Sequence, residues 1–405
     1  MTDRKKIVCY DDNPDYGGHQ VMACLAVEGL AQSAVWRPVF FCSPENHRLN
    51  QRLLEIQSAS GNLEIRRTPF TTRKLQGLHN RFANASIGAL ALLLGQEQPD
   101  LILCIQGEIE DGSLALCAAE RMHAPCISYI PVPHRMALMG AKLGALRDSF
   151  NAYLFRKPDG WITISDSMKK LLEERGTTAP IEIVHNGIDL SRFAPRDKTS
   201  ARTTLGLPEN KTIYGTIGRI EFNQKQQDFL VRTFSKYWKT DAAVHLVITG
   251  DGPDRGRLEE LICELGLQER VTLLPWQANS TLVYNALDLL IIPSRFEGVP
   301  LVMLEALSCG VPVIGSARDG MKDILPAEWT FETENAAALA QTAEYVCRSL
   351  RLLPHDNGAS LAALGSKHWK NELPILQTEV RNDYTVEKFK QNFEAALNRF
   401  LIMSR

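Results

Sequence analysis

Apolar runs and amphipathic segments alternate along most of this chain. Runs rich in Val, Ile, Leu and Phe fall near 5–11, 37–43, 63–68, 101–106, 126–131, 160–165 and 181–187, and again near 212–218, 243–250, 271–275, 289–294 and 311–316. Most of the intervals carry helical periodicity. Short runs that are apolar throughout predict strands covered on both faces, so the pattern predicts an α/β protein with parallel sheets. A polar stretch over 191–210, with Pro195 and Pro208, separates the two halves and reads as a linker. After about residue 330 the strands stop and helical patterns take over. The last of these, 385–403, sets Val386, Phe389, Phe393, Ala396, Leu397 and Phe400 on one face. No sequence repeat relates the halves.

Length and composition narrow the class. At 405 residues the chain exceeds the size at which single cores divide, so two domains are expected. Lys and Arg number 45 against 47 Asp and Glu, and a net charge of −2 supplies no global attraction for nucleic acid, which is not an expected partner. Nine cysteines, with no C-x-x-C pair and no metal-ligand spacing, read as small buried hydrophobes in a reducing compartment, from which a cytoplasmic location follows. The N-terminal residues lead into a strand rather than a signal-peptide core, and no apolar run reaches the ~18 residues of a membrane span. The expectation is a protein neither exported nor integral to a membrane.

The chemistry concentrates in 295–305, between two apolar runs. Pro300 suits the first position of a helix and Gly310 the left-handed residue that ends one, so a helix is expected over 300–309. Its first-turn N–H groups, with the preceding loop, form a site for an anion, above all a phosphate, from Gly298, Val299, Pro300, Leu301 and Val302. Glu297 before the helix and Glu305 in its second turn flank that site. Carboxylates repel phosphates, so both suit sugar hydroxyls instead. A ligand with phosphates in its middle and a sugar at each end is a nucleotide diphosphate sugar. Two cations complete the set: Arg219, which follows Gly218 at the carboxyl end of a strand, and Lys225, six residues on, where a helix is expected to begin. A fixed guanidinium and a mobile ammonium neutralise a diphosphate as a glycosidic bond breaks.

This constellation resembles the E-x-x-x-x-x-x-x-E signature of the retaining GT-B glycosyltransferases, family four in particular. Four further motifs stand in the family's order: the loop 13–20 with Gly17 and Gly18, the segment 185–189, Gly218 and Arg219 with Lys225, and 248–253. There are departures. His19 and Gln20 replace a small residue and Glu, the Arg-to-Lys spacing is six rather than five, and Gln226 stands where Gly is frequent. The resemblance implies a GT-B architecture of two Rossmann-like domains with parallel sheets facing across a cleft. Residues 1–195 would bind acceptor, 205–380 would bind donor, and 384–405 would form a helix that crosses back to the first domain.

The same resemblance implies transfer of a glycosyl group from a nucleotide diphosphate sugar to an acceptor hydroxyl with retention, in polysaccharide, glycolipid or glycoconjugate synthesis. Gly17 and Gly18 would let the backbone approach a phosphate, and Gln277, in the loop 276–278, would help hold the nucleotide base. His134 would lie near the donor sugar and serve by hydrogen bonding. His19, Gln106 and Glu108 are weaker acceptor candidates. Asn186 and Gly187 read as a structural turn. No cofactor or metal is expected, since the family uses cations and helix N-termini, and Asp251 and Asp254 do not form a D-x-D. A nucleotide-sugar epimerase on the same fold and a non-catalytic subunit are the alternatives. Finally, Arg66, Arg67, Arg73, Lys74, His79 and Arg81 precede an apolar segment over 136–146. Together they would suit a lipid-linked acceptor and peripheral association with a membrane. A solvated basic loop beside a core helix is the plainer reading, and the acceptor is otherwise a glycan or a small molecule.

Overall fold

The structure, a computed structural model, describes residues 4–277, 279–352 and 372–403. The chain divides into two compact units, one running to Gly187 and resuming at Val386, the other comprising Ile188–Thr385. The first unit holds β1 (Lys5–Asp11), β2 (Trp36–Cys42), β3 (Glu64–Arg67), β4 (Leu101–Ile105), β5 (Cys126–Tyr129), β6 (Gly160–Thr163) and β7 (Ile181–Ile183). The second holds β8 (Thr212–Ile217), β9 (Val244–Thr249), β10 (Val271–Leu274), β11 (Leu289–Ile292), β12 (Val313–Ser316) and β13 (Thr330–Phe331). Every pairing is parallel, and helices fill most of the connections. Both units are therefore Rossmann-like α/β layers.

Strand order locates the ligand positions. The first sheet runs β3-β2-β1-β4-β5-β6-β7 and the second β10-β9-β8-β11-β12-β13. In each, the order reverses between the first strand of the unit and the one beside it, β1 and β4 or β8 and β11. Connections on either side of such a reversal run to opposite faces, which opens a crevice at the strand carboxyl ends. The connections after β1 and β4 carry Gly17, then Gly18 and His19 at the start of a helix, and Gln106 and Glu108. Those after β8 and β11 carry Gly218 and Arg219, then Lys225 at the end of a short helix, and Glu297.

Strands β4 and β11, and the middle of β1, are apolar because both faces are buried: Ile7, Val8, Cys9, Leu101, Ile102, Leu103, Leu289, Leu290 and Ile291 are inaccessible to solvent. Among the described cysteines, all but Cys263 are buried, and none is paired in a disulfide. The terminal helix Val386–Met403 belongs to the first unit, where Phe389, Phe393 and Phe400 are buried. Phe393 meets Tyr129 edge-on at 5.6 Å, and the Trp36 indole donates to Asn398 Oδ1 at 3.1 Å. A Cβ at Gly160 would stand 2.3 Å from the Phe400 ring, so that strand admits no larger residue without repacking.

Three elements differ from the sequence reading. The stretch 191–210 is not an open linker: it contains the helix Lys198–Leu205, anchored to the second unit by buried Arg202, which bonds Asp288 and the carbonyls of Ala286, Glu209 and Lys211. Most of its polar residues are exposed, and Arg202 is the buried one that ties it down. β13 lies at the point where the strands were expected to stop, and two residues are too few to leave a pattern. The segment 136–146 is mostly turn, leading into the helix Gly144–Asn151, because Gly144 packs with its absent Cβ only 2.5 Å from Ala137 Cα.

Candidate active site

In the second unit two loops are bound together. Beyond β8, the backbone from Gly218 to Ile220 continues to pair with the end of β9 and the segment after it, Gly218 N–H with Thr249 O at 3.0 Å and Ile220 N–H with Asp251 O at 2.9 Å. Gly250 is required there: its φ is +151°, and a Cβ would fall 1.9 Å from Gly218 O. Buried Gln227 braces the turn from within, donating to Arg219 O at 2.9 Å and accepting from Glu221 N–H at 3.2 Å. The Arg219 side chain is left 63% exposed, with Glu221 at 3.8 Å. Lys225 closes the short helix Phe222–Lys225 rather than opening a longer one, because Gln226 adopts a left-handed φ of +54° before Gln227–Tyr237 begins.

The loop after β11 meets this one. Arg295 N–H donates to Gln224 O at 2.7 Å, and its guanidinium bonds Asn223 and Glu334. Lys225 Nζ then lies 2.5 Å from Glu297 Oε1. Glu297 is buried and its own N–H donates to Asp319 Oδ2 at 2.9 Å. Asp319 is held at φ +52°, uncommon outside glycine, and the next residue, Gly320, donates to Gly298 O at 2.9 Å. The loop that carries Glu297 is therefore gripped from both sides.

The helix Leu301–Ser308 follows, with Pro300 as its N-cap residue and not its first helical one: ψ at Pro300 is 122°, extended, so the chain enters the helix one residue later than expected. Gly310, at φ +77°, ends it as anticipated. Of the first-turn N–H groups, that of Met303 donates to Pro300 O at 3.1 Å; those of Leu301 and Val302 follow Gly298 and Val299, just past Glu297 in sequence. Glu305 is partly buried and accepts a hydrogen bond from the Tyr284 hydroxyl. Burial pushes its carboxyl above the ordinary value, and the Tyr284 hydrogen bond and Arg192 pull against that. Gln277 stands at the end of the edge strand β10, its amide on Pro275 O at 3.3 Å, beside exposed Trp276; Ala278 of that loop lies outside the described residues.

The first-unit candidates fare differently. Gly17 caps the helix Gly18–Gln32, and its N–H donates to Gln20 Oε1 at 2.6 Å; a Cβ at Gly18 would meet nothing within 4 Å. His134 is buried, past the end of β5. Gln106 is fully buried: its amide donates to Ile109 O and Asp111 O and accepts from the Ser128 hydroxyl, so it braces the β4 loop and offers nothing to an acceptor. Glu108 is half-buried, 3.7 Å from Arg147, and burial raises its pKa. His19 packs over Gly107, and burial pushes its imidazole down to about 3. A histidine that resists protonation to that extent stays a neutral ring, and its Nε2 is buried with no hydrogen-bond partner.

Tyr284, Asp319 and Gln227 were not marked in the sequence. Asp319 had a legible signal, since it follows the apolar run 311–316 as Glu297 follows 289–294. Gln227 and Tyr284 face inward from helices and read only as polar interruptions. No group of three or more His, Cys, Asp and Glu residues able to hold a metal ion occurs among the described residues. No helix among them is long and apolar enough to cross a membrane.

Comparisons with known proteins agree with this geometry. A family model for "Glycosyltransferase Family 4" matches 16–192, and one for "Glycosyl transferases group 1" matches 211–349, so the two together span most of the chain. D-inositol 3-phosphate glycosyltransferase of Mycobacterium tuberculosis is 28% identical over 249 residues, 58% of this chain and 51% of the relative. The chain spans about half the length of the curated relatives it matches. Among solved structures, Anabaena HepE in complex with UDP and glucose superimposes with a TM-score of 0.76 at 16% identity, covering 98% of this chain and 100% of the other. Sucrose-phosphate synthase from Thermosynechococcus elongatus gives 0.74 at 19%, covering 99% and 100%. At these identities the structures establish the shared GT-B fold.

Proposed function

Since the chain belongs to the GT-B glycosyltransferases of the family-four type, we propose that it transfers a glycosyl group from a nucleotide diphosphate sugar to an acceptor hydroxyl with retention of anomeric configuration. The observation that carries this reading is the Lys225–Glu297 pair beside the N-terminus of Leu301–Ser308. It sets a cation for the diphosphate and a carboxylate for sugar hydroxyls beside the backbone donors of a helix N-terminus. Solved relatives of the same fold hold UDP and UDP-glucose, which supports a donor of this class.

In the reaction, the bond from the anomeric carbon to the diphosphate oxygen breaks, and the acceptor oxygen forms the new bond. Negative charge grows on the leaving diphosphate, and Lys225, Arg219 and the first-turn N–H groups are the groups that offset it. Lys225 already sits in its place, held by Glu297, so little reorganisation accompanies charge development. Glu297 accepts from donor hydroxyls. Glu305 accepts from the nucleotide ribose, with Tyr284 fixing its rotamer. No carboxylate is nominated as a covalent nucleophile. A same-face displacement, in which the departing phosphate takes the acceptor proton, balances without one. His134 contributes hydrogen bonding on the first unit, and the charge demand is met without a metal or cofactor.

The test is a donor panel of UDP-, GDP- and ADP-sugars with the host's glycan and lipid fractions as acceptors. Nucleotide diphosphate release should require acceptor, and the product should keep the donor's anomeric configuration by NMR. Release of an epimerised sugar nucleotide without acceptor would replace this reading with the isomerase.

A further inference from the structure

Two stretches of the first unit carry no carboxylate at all: 65–96, with five Lys and Arg, and 121–147, with four. Buried Glu110 draws them together. It accepts from Gln76 N–H at 3.2 Å, from Arg147 Nε at 3.0 Å and Nη2 at 2.7 Å, and from Asn151 Nδ2 at 2.8 Å. The helices Gln76–Asn80 and Gly144–Asn151 thereby touch, the absent Cβ of Gly77 falling 1.9 Å from Asn151 Oδ1 and Gly77 O accepting from the Tyr153 hydroxyl at 2.9 Å. Arg81 lies over the Tyr153 ring at 4.8 Å. Exposed Arg73, Lys74, Arg81 and Lys142 stand on these two joined segments.

Large apolar side chains stand on the same two segments: Phe82 is 81% exposed, Leu143 63% and Leu146 49%. Leu143 is also held at φ +57°, a conformation that a leucine adopts only against a steric penalty. The fold thus bears both a hydration cost and a backbone cost to present this residue. Arg66 and Arg67 are not part of the face. They lie on β3, where Arg66 pairs with Glu64 and Glu97 and Arg67 meets Cys42.

We propose that this face docks the protein on an anionic lipid surface, with Phe82, Leu143 and Leu146 entering the headgroup region and Arg73, Lys74, Arg81 and Lys142 facing lipid phosphates. Cations beside exposed apolar side chains suit that partner. Nucleic acid would take the cations and leave the apolar side chains wet. The inference deepens the transferase reading and rests on it in one respect, that the acceptor is then a lipid-linked hydroxyl reached from the membrane surface.

The experiment is sedimentation of the full chain with vesicles of phosphatidylcholine alone or with phosphatidylglycerol, at low and raised salt. The protein should pellet with the anionic vesicles and be released by salt, since surface charges are screened within about 10 Å at 0.1 M. The double variant Arg73→Glu/Lys74→Glu should lose about tenfold or more in vesicle affinity. Leu143→Gly suits φ +57° better than leucine does, so its thermal midpoint should not fall while its vesicle binding weakens. Binding no stronger to anionic than to neutral vesicles, unchanged binding by both variants, or tighter binding to duplex DNA than to vesicles would each overturn the proposal. Nucleotide diphosphate affinity, measured in parallel, separates the two readings. If it persists while vesicle binding is absent, only the docking surface falls, and if it is absent while vesicle binding holds, only the transferase reading falls.

Discussion

Lys225 Nζ and Glu297 Oε1 stand 2.5 Å apart although 72 residues separate them in sequence. The contact joins the loop after β8 to the loop after β11, the two strands between which the sheet order reverses. It aims the ammonium before any ligand arrives.

Lys225→Met should lower turnover by about 2 kcal/mol or more of transition-state stabilisation, in the range seen when one preorganised donor is deleted. It also leaves buried Glu297 without its cation, so a lower thermal midpoint should accompany it. Arg219→Ala should cut turnover without that loss of stability, because Arg219 is exposed and stands 3.8 Å from Glu221. Steady-state kinetics with thermal denaturation distinguishes the two patterns, and an Arg219→Ala enzyme at wild-type rate would remove that residue from the site.

Asp319 fixes Glu297 through its backbone. Asp319→Gly suits the positive φ but removes the acceptor, so stability should hold while kcat falls roughly fivefold, about one hydrogen bond's worth. Asp319→Asn keeps an acceptor oxygen and tolerates the left-handed conformation, and should restore most of the rate. Equal kcat for all three proteins would make Asp319 a turn residue only.

The Glu305 contact with ribose is equally available in ground and transition states. Glu305→Ala should therefore raise KM for the donor more than it lowers kcat. Tyr284→Phe, which frees the Glu305 rotamer, should act in the same direction with a smaller effect. A fall in kcat at unchanged nucleotide diphosphate affinity would contradict the assignment.

Asp11 ends β1 fully buried, with its Oδ1 accepting from Asn13 N–H, and burial raises its carboxyl from 3.8 to about 8. A folded-state pKa raised in this way favours the protonated native state. The stability it contributes is complete below the unfolded value and is lost as pH rises through about 8. Asp11→Asn does not titrate, so its thermal midpoint should gain on that of the wild type between pH 5 and pH 8.5. A constant difference across that range would show that Asp11 does not titrate there.

Much of this was legible in the sequence for a physical reason. Strands buried on both faces must be apolar throughout, and so 101–106 and 289–294 declare themselves without neighbours. Pro300 and Gly310 bracket a helix because each has restricted or special backbone freedom. What could not be read was adjacency. Strand order places Lys225 against Glu297, and nothing local to either residue encodes it. Gln106 shows the converse: a polar residue at a strand end suggested a ligand contact, yet its amide is consumed by Ile109, Asp111 and Ser128. The basic cluster divided for the same reason, Arg66 being paired on β3 while Arg81 packs against Tyr153.

The most direct measurement of the central claim is calorimetric titration of UDP, GDP and ADP into the wild-type chain, Lys225→Met and Glu305→Ala. The account predicts that at least one nucleotide diphosphate binds the wild type at a single site and that both variants weaken it, by about tenfold or more for Lys225→Met. Absence of binding by all three nucleotides, or binding that neither substitution alters, would contradict it.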